Sequence, residues 1–482
     1  MNRKMVLYTV GRIILLEGLL LLIPLAVLLY YRELLTVWSF AVTVAVAAAS
    51  GLLLMLFNRH ADRTLFAKGG FITVALSWIA LALIGALPFT LSHTIPSYVD
   101  AVFETVSGLT TTGASILPNP EVLDKGLLFW RSFTHWIGGM GVIVLMMAVM
   151  PAESGRSIHI LRAEVPGPVV GKLVPRLRDT AKILYLIYLV LTVLQIVFLL
   201  CGGMPLFDSV VHTFGTAGTG GFGIKSNSMA SYSPYLQWVI TVFMLLFGVN
   251  FNLYYFLLLR RVKPVLKSGE LWCYLAIVLA AVGLITRNVL PLYDTFSETL
   301  RHAAFQASSI LTTTGYSTTD FAAWPELSKV ILLLLMMVGG CAGSTAGGLK
   351  VSRVILLFKI VARDLKKMLH PRSVGVVQVS GKPVEEQTLN GVSSYFALYM
   401  ILLLAVFLIL SFEPFSLETN LSATLACFNN VGPGLAGVGP LSNYAAYSDF
   451  STIVLSLAML FGRLEIYPIL FVLTPSVWSK KG

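Results

Sequence analysis

Leu311-Thr312-Thr313-Thr314-Gly315 repeats, residue for residue, the earlier Leu109-Thr110-Thr111-Thr112-Gly113. Two looser copies, Thr216-Ala217-Gly218-Thr219-Gly220 and Asn430-Val431-Gly432-Pro433-Gly434, lie between and after them. Aligned on their last glycines, the four turns stand 107, 95 and 119 residues apart. A second landmark keeps step: Gly139, Gly248, Gly340 and Gly462 follow those glycines by 26, 28, 25 and 28 residues, each inside an apolar run. A lone Thr-Thr-Thr-Gly is an ordinary loop. Two features in step at four places argue for four copies of one unit, span, re-entrant hairpin, span.

The rest of the chain supports spans. Of its 482 residues 56% are hydrophobic and 12% charged, with a mean hydropathy of +0.82. Soluble domains carry about 25% charged residues, so a water-soluble enzyme is excluded. The formal charge of +11 does not indicate nucleic acid, because the basic residues sit between apolar runs rather than on a polar face. Runs long enough to cross the bilayer fall near 11–31, 37–57, 70–92, 126–150, 183–203, 235–259, 271–290, 329–349, 391–412 and 450–474. The first is too long for a signal-peptide core, lacks a small-residue cleavage site and leads at once into another span. Cys201, Cys273, Cys341 and Cys427 lie far apart in apolar stretches and read as small buried hydrophobes.

The expected fold is therefore an all-α integral membrane protein with ten transmembrane helices. An N-terminal hairpin (1–68) precedes four pseudo-symmetric units, 69–160, 161–268, 269–385 and 386–482, around a central pore. With the N-terminus inside, the cytoplasmic segments hold 26 Lys and Arg and the outer ones seven, the latter including Arg131. The outer segments also hold 13 acidic residues, among them Asp100, Glu104, Asp208, Glu298 and Glu418. Both termini are expected in the cytoplasm, because cytoplasmic loops carry the Lys/Arg excess.

Irregular backbone at membrane depth is tolerated where protein buries it or it lines a watery cavity. Four such turns meeting on an axis would offer rings of carbonyl oxygens, which replace an ion's hydration shell. Glycine supplies the positive φ that aims successive carbonyls the same way. Below the third turn, Gly339-Gly340-Cys341-Ala342-Gly343-Ser344-Thr345-Ala346-Gly347-Gly348-Leu349-Lys350 holds five glycines within 339–348. Each costs a helix about 1 kcal/mol relative to alanine. Close packing of small residues explains two of them; a polar loop across the path explains all five and the hydroxyls. Arg463 follows Gly462 as Cys341 follows Gly340, which places it at the depth of that loop. A charge inside a span faces a cavity or a partner. Glu465 is a possible counter-ion, although residues two apart on a helix do not face each other. Glu17 is the remaining ionisable group inside a span.

These turns, their spacing and the preceding hairpin resemble the Trk/Ktr/HKT superfamily of potassium transporters, in its bacterial TrkH/TrkG branch, over essentially the whole chain. The resemblance implies potassium uptake across a bacterial inner membrane through a multi-pass protein. It implies a filter of carbonyls from Thr111-Thr112-Gly113, Gly218-Thr219-Gly220, Thr313-Thr314-Gly315 and Gly432-Pro433-Gly434, with potassium as the ion bound there. Thr110, Ala217, Thr312 and Val431 would form its inner edge. It implies a gate at Gly340, Gly343, Ser344, Thr345, Gly347, Gly348, Lys350 and Arg463. It also implies a homodimer in the lipid bilayer with a cytoplasmic TrkA-type regulatory ring, which would dock on the basic runs Arg156 to Lys182 and Arg353 to Lys382. A nucleotide (ATP/ADP or NAD) belongs on that ring, and no covalent cofactor on this chain. A glycine at every filter position is the pattern implying potassium preference; relatives with serine at the first position admit more sodium.

No phosphate-binding glycine loop and no nucleophile–base pair appears in the sequence, so no enzyme is expected. The alternative is a proton- or sodium-coupled potassium symporter. The repeats argue against the inverted-repeat class of such proteins, since all begin and end on one side. The orientation has a direct check. A single cysteine at Arg372→Cys should react with an impermeant reagent from the cytoplasmic side; labelling in intact cells would reverse the topology.

Overall fold

The computed structural model describes residues 2–60, 67–141, 177–372, 375–379 and 381–478. The boundary placed at 160/161, the second half of the span placed at 126–150 and most of the Arg156 to Lys182 run lie outside the described residues. The chain is mainly helical, with one two-residue β-ladder, Gln378–Val379 against Lys382–Pro383.

Helices Arg3–Leu20 and Leu22–Tyr31 form the first span, and Arg32, in the left-handed region at φ 60°, turns the chain into Leu34–Phe57. The two arms touch through small residues. A Cβ at Gly11 would stand 2.8 Å from the Gly51 carbonyl oxygen, and one at Gly18 3.2 Å from the Ala47 Cβ, so the backbones approach as small residues allow in a membrane.

Four long helices, Ala67–Gly85, Leu177–Cys201, Gly269–Val289 and Glu386–Leu410, each lead to a shorter one: Tyr98–Leu109, Leu206–Gly218, Phe296–Leu311 and Leu417–Phe428. The short helices have 12, 13, 16 and 12 residues. At about 1.5 Å per residue none can cross about 30 Å of hydrocarbon. Ser97, Thr295 and Ser416 cap three of them by accepting the backbone N–H of Asp100, Glu298 and Thr419. Asp100, Asp208, Glu298 and Glu418 lie in the first turns, where an acid complements the helix dipole. One continuous core encloses these helices, taking Phe103 and Leu109 from the first, Val211 from the second, Ile310 from the third and Phe428 from the fourth. The long helices expose Leu186, Leu279, Leu284, Ile401 and Leu408 on the outside, as lipid-facing surfaces do.

Ten uniform helices are not what the described residues show. Six helical segments are long and apolar enough to cross a membrane, and Pro234–Phe247 with Phe251–Leu258, bent by 90°, makes a seventh if taken as one. The stretches near 126–150, 329–349 and 450–474 hold helices Lys125–Met140, Glu326–Val338 and Asp449–Arg463, and each stops short of a full crossing. The stops have backbone causes: Gly141 and Gly339 adopt φ 74° and 73°, and Glu465 and Ile466 adopt 55° and 67°. The glycines noted in these runs lie beside the breaks and also pack closely: a Cβ at Gly139 would stand 2.6 Å from the Gly218 Cα, and one at Gly462 would strike the Phe428 carbonyl oxygen.

Candidate functional site

Each short helix ends in the same turn. Thr111, Thr219, Thr313 and Asn430 have φ of 55°, 58°, 56° and 56°, and Gly113, Gly221, Gly315 and Gly432, two residues on, have 81°, 77°, 81° and 99°. Hydrogen bonds give the same register. The N–H groups of Thr112, Gly220, Thr314 and Val431 donate, each at 2.8 Å, to the carbonyls of Ser107, Gly215, Ser309 and Ala426, five residues back. The equivalent triplets are therefore Thr111-Thr112-Gly113, Thr219-Gly220-Gly221, Thr313-Thr314-Gly315 and Asn430-Val431-Gly432. This corrects the sequence alignment by one residue in the second turn and by two in the fourth. Gly218 and Asn429 move to the inner edge, beside Thr110 and Thr312, and Ala217 and Val431 leave it. Pro433 and Gly434 fall beyond the turn, where the Gly434 N–H bonds to the Val438 carbonyl at 2.7 Å.

The four turns close on one another. A Cβ at Gly113 would strike the carbonyl oxygen of Gly220, one at Gly221 that of Thr314, one at Gly315 that of Val431, and one at Gly432 that of Thr112. The four glycines thus have both the backbone conformation and the crowding that exclude a side chain. Ties around the ring hold adjacent turns. His135 bonds the Gly108 carbonyl through Nδ1 at 2.8 Å and receives the Phe222 N–H on Nε2 at 3.2 Å. Tyr316 donates to Phe222 and Tyr444 to the Gly432 carbonyl, at 3.2 and 2.7 Å. The Asn430 amide reaches Thr112 Oγ1 at 2.9 Å, joining the fourth turn to the first. On one side of the ring a mouth with about 730 Å³ of empty space is lined by the four φ-positive glycines.

The helix breaks meet on the other side. Cys341 N–H bonds the Gly248 carbonyl at 2.9 Å and Phe251 N–H the Gly343 carbonyl at 3.0 Å, so the second and third breaks satisfy each other. The glycine-rich loop also reaches the ring. Gly347 N–H donates to Thr313 Oγ1 at 2.6 Å, and Gly348 N–H to the Asn429 carbonyl at 3.1 Å. Arg463, 8% exposed, donates from Nη1 to the Thr345 carbonyl at 2.8 Å, and from Nη2 to Gly139 at 2.9 Å and to Gly138. Lys350 Nζ, also buried, bonds the Ala346 carbonyl. A small polar gap, with about 10 Å³ open to the centre of a water molecule, is lined by Ala346, Gly347, Gly348, Lys350, Gly462, Arg463 and Glu465. Glu465 pairs with Arg353 at 2.7 Å, and Arg353 lies over the Tyr395 ring at 4.1 Å. Of the proposed gate residues, Thr345, Gly347, Gly348 and Lys350 thus lie around Arg463, Gly340 and Gly343 make the joint with the second break, and Ser344 Oγ bonds the Cys341 carbonyl at 2.6 Å.

A ring of four turns over an intramembrane loop is the setting in which relatives become informative. The family model described as TrkH, cation transport protein, matches residues 38–480. The chain belongs to the TrkH family. It is 37% identical over 480 residues to the Trk system potassium uptake protein TrkH of Salmonella typhimurium, covering 98% of each chain. It is 34% identical over 481 residues to TrkG of Escherichia coli, again covering 98% of each. The crystal structure of the potassium transporter TrkH from Vibrio parahaemolyticus superimposes with a TM-score of 0.90 at 34% identity, covering 99% of this chain and 100% of that one.

Within this TrkH-family fold the sequence reading missed the burial of Arg131. Counted there with Glu104 in the outward segments, the side chain is 5% exposed and bonded to Glu104 at 2.5 Å. It also donates to the Gly223 carbonyl at 2.9 Å and to Ser115 Oγ at 3.0 Å, and stacks 3.8 Å from the Phe222 ring centroid. Glu104 further accepts the Ile116 N–H at 2.9 Å. The pair therefore ties the first two turns together beside the mouth. Charge alone could not place it in the interior. For the register a sequence signal did exist: Gly221-Phe222 matches Gly315-Tyr316, a glycine followed by an aromatic.

Removing one partner of a buried pair strands the other charge and costs about 3–5 kcal/mol. Arg131→Met and Glu104→Gln should each lower the thermal unfolding midpoint in detergent. The double variant should be less destabilised than the sum of the two, as measured by a double-mutant cycle.

Proposed function

We propose that this chain takes up potassium ions across a bacterial inner membrane, passing them inward through the ring formed by the four turns. The observation that carries the reading is the cyclic closure, each glycine against the next turn's carbonyl oxygen. In this reading the carbonyls of Thr112, Gly220, Thr314 and Val431 and their neighbours take the place of the ion's water, as in carbonyl filters. The short helices direct their C-terminal ends, each worth about half a negative charge, towards the ion. Membership of a cation transport family and full-length similarity to potassium uptake proteins support the choice of ion. They equally support transport rather than enzyme catalysis.

The wider architecture belongs to the same proposal: a hairpin and four parallel units about one pore, ten crossings with the broken helices counted, both termini cytoplasmic. The glycine-rich loop obstructs the pore below the ring, and Arg463 holds it there by hydrogen bonds and opposes a cation by its charge. A homodimer regulated by a cytoplasmic nucleotide-binding ring completes the reading, with the nucleotide on that partner. Passive flux driven by the membrane potential, about 2.3 kcal/mol per charge per 100 mV, suffices as driving force. A potassium symporter coupled to protons or sodium is distinguished by vesicle flux with and without those gradients.

Gly113→Ser and Gly221→Ser should each weaken discrimination between potassium and sodium, because both side chains would meet the next turn's carbonyl. Rubidium uptake in vesicles, competed with sodium, measures it; unchanged competition in both variants would remove the filter assignment.

For the gate, Arg463→Ala should raise basal rubidium flux while keeping the ion preference. Arg463→Lys, which retains charge but not the planar fork, should fall between. Wild-type or lower flux in a well-folded Arg463→Ala protein would make the arginine a brace only.

A further inference from the structure

Glu17 lies in the first helix, 4% exposed, and the proposed conduction path does not use it. Both its carboxyl oxygens are buried without a hydrogen-bond partner. It borders a narrow gap, with only about 10 Å³ open to the centre of a water molecule, whose other walls are Leu16, Leu20, Leu81, Leu109, Trp130 and Ile137. The Trp130 indole has its N–H committed to the Gly85 carbonyl at 3.0 Å. Gly85 makes the space: a Cβ there would stand 2.9 Å from Glu17 Oε1 and 2.9 Å from Thr105 Cγ2.

No other titratable or charged side chain lines this gap among the described residues. Of those on the helices packed around it, Glu104 and Arg131 are bonded to each other. His135 bonds Gly108 and Phe222. Tyr8, Arg12, Lys68, Asp100 and Lys125 lie outside its wall, and Leu34–Phe57, which packs on the first helix, carries no charged side chain. A carboxylate in these surroundings would be a bare charge at membrane depth, the most expensive state a side chain can adopt there. The packing shown is compatible with the neutral acid.

The wall is shared with the ring. Leu109 directly precedes Thr110, and Ile137 directly precedes Gly138, whose carbonyl accepts Arg463. Water or a cation must enter before Glu17 can ionise, and neither fits without displacing these side chains. We propose that Glu17 is a proton-binding site, and that loss of its proton opens this wall and alters flux through the adjoining ring. The flux half rests on the conduction reading above; the proton half does not.

Infrared difference spectroscopy of the protein in lipid vesicles decides the proton half. At neutral pH the wild type should show the carbonyl stretch of a protonated carboxyl, lost in Glu17→Gln; no such difference overturns the site. Rubidium uptake measured across the same pH series decides the rest. Wild-type flux should change as that band disappears, whereas Glu17→Gln and the apolar Glu17→Leu should hold the acid-side flux throughout. If wild type and Glu17→Gln trace one pH profile, the coupling to flux is wrong. If even the wild type carries no rubidium, the conduction reading and the flux half fail together, and the infrared band still decides the proton site.

Discussion

A peptide group at membrane depth must find its hydrogen-bond partner inside the protein. Four helices of this chain break there, and each break frees N–H and C=O groups that water cannot reach. The breaks resolve this mutually. Gly248 and Gly343 carbonyls accept N–H groups from Cys341 and Phe251, the Asn429 carbonyl accepts from Gly348, and Arg463 donates to the carbonyls of Thr345, Gly138 and Gly139. Some bonds close within a break, as from Leu349 to Met337 and from Ile466 to Phe461, but the second and third breaks also depend on each other. This is why irregular backbone from separate parts of the chain collects at one level beneath the four turns.

The turns obey a second, steric constraint. Threonine or asparagine in the left-handed region is strained, and the strain recurs at Thr111, Thr219, Thr313 and Asn430. It is held in place by the bond from each following N–H to a carbonyl five residues back, so the preceding helix dictates the turn. The side chains at this position then diverge. Thr313 accepts from the glycine-rich loop, whereas Asn430 donates to Thr112 and to the Met459 carbonyl. One chain can give each turn its own neighbour in this way, which four identical subunits cannot.

What the sequence made legible followed from local chemistry. Apolar runs located the spans, and the exact repeat of Leu-Thr-Thr-Thr-Gly identified the first and third turns in their true register. The second and fourth slipped because Gly220-Gly221 and Gly432-Pro433-Gly434 each offer more than one glycine. The choice between them is made by a backbone bond to the preceding helix, which spacing between glycines does not encode. Likewise an apolar run of twenty residues reads as a continuous helix. Whether it breaks depends on partners such as the Gly340–Gly343 segment meeting Gly248, contacts far apart in sequence. The pairing of Arg131 with Glu104 was hidden for the same reason: the two stand 27 residues apart, and only the fold brings them to 2.5 Å.

Arg463 shows how support and charge become inseparable in such a site. Its guanidinium spans carbonyls on two elements, the glycine-rich loop and the end of Lys125–Met140. A planar fork with several fixed donors suits that task, and an ammonium does not. Those carbonyl dipoles stabilise the cation they bind. Glu465 is engaged by Arg353 one layer away, and Lys350 lies against the same small gap. The local excess of positive charge is therefore a consequence of using cations to satisfy broken backbone, and it sits directly under the ring.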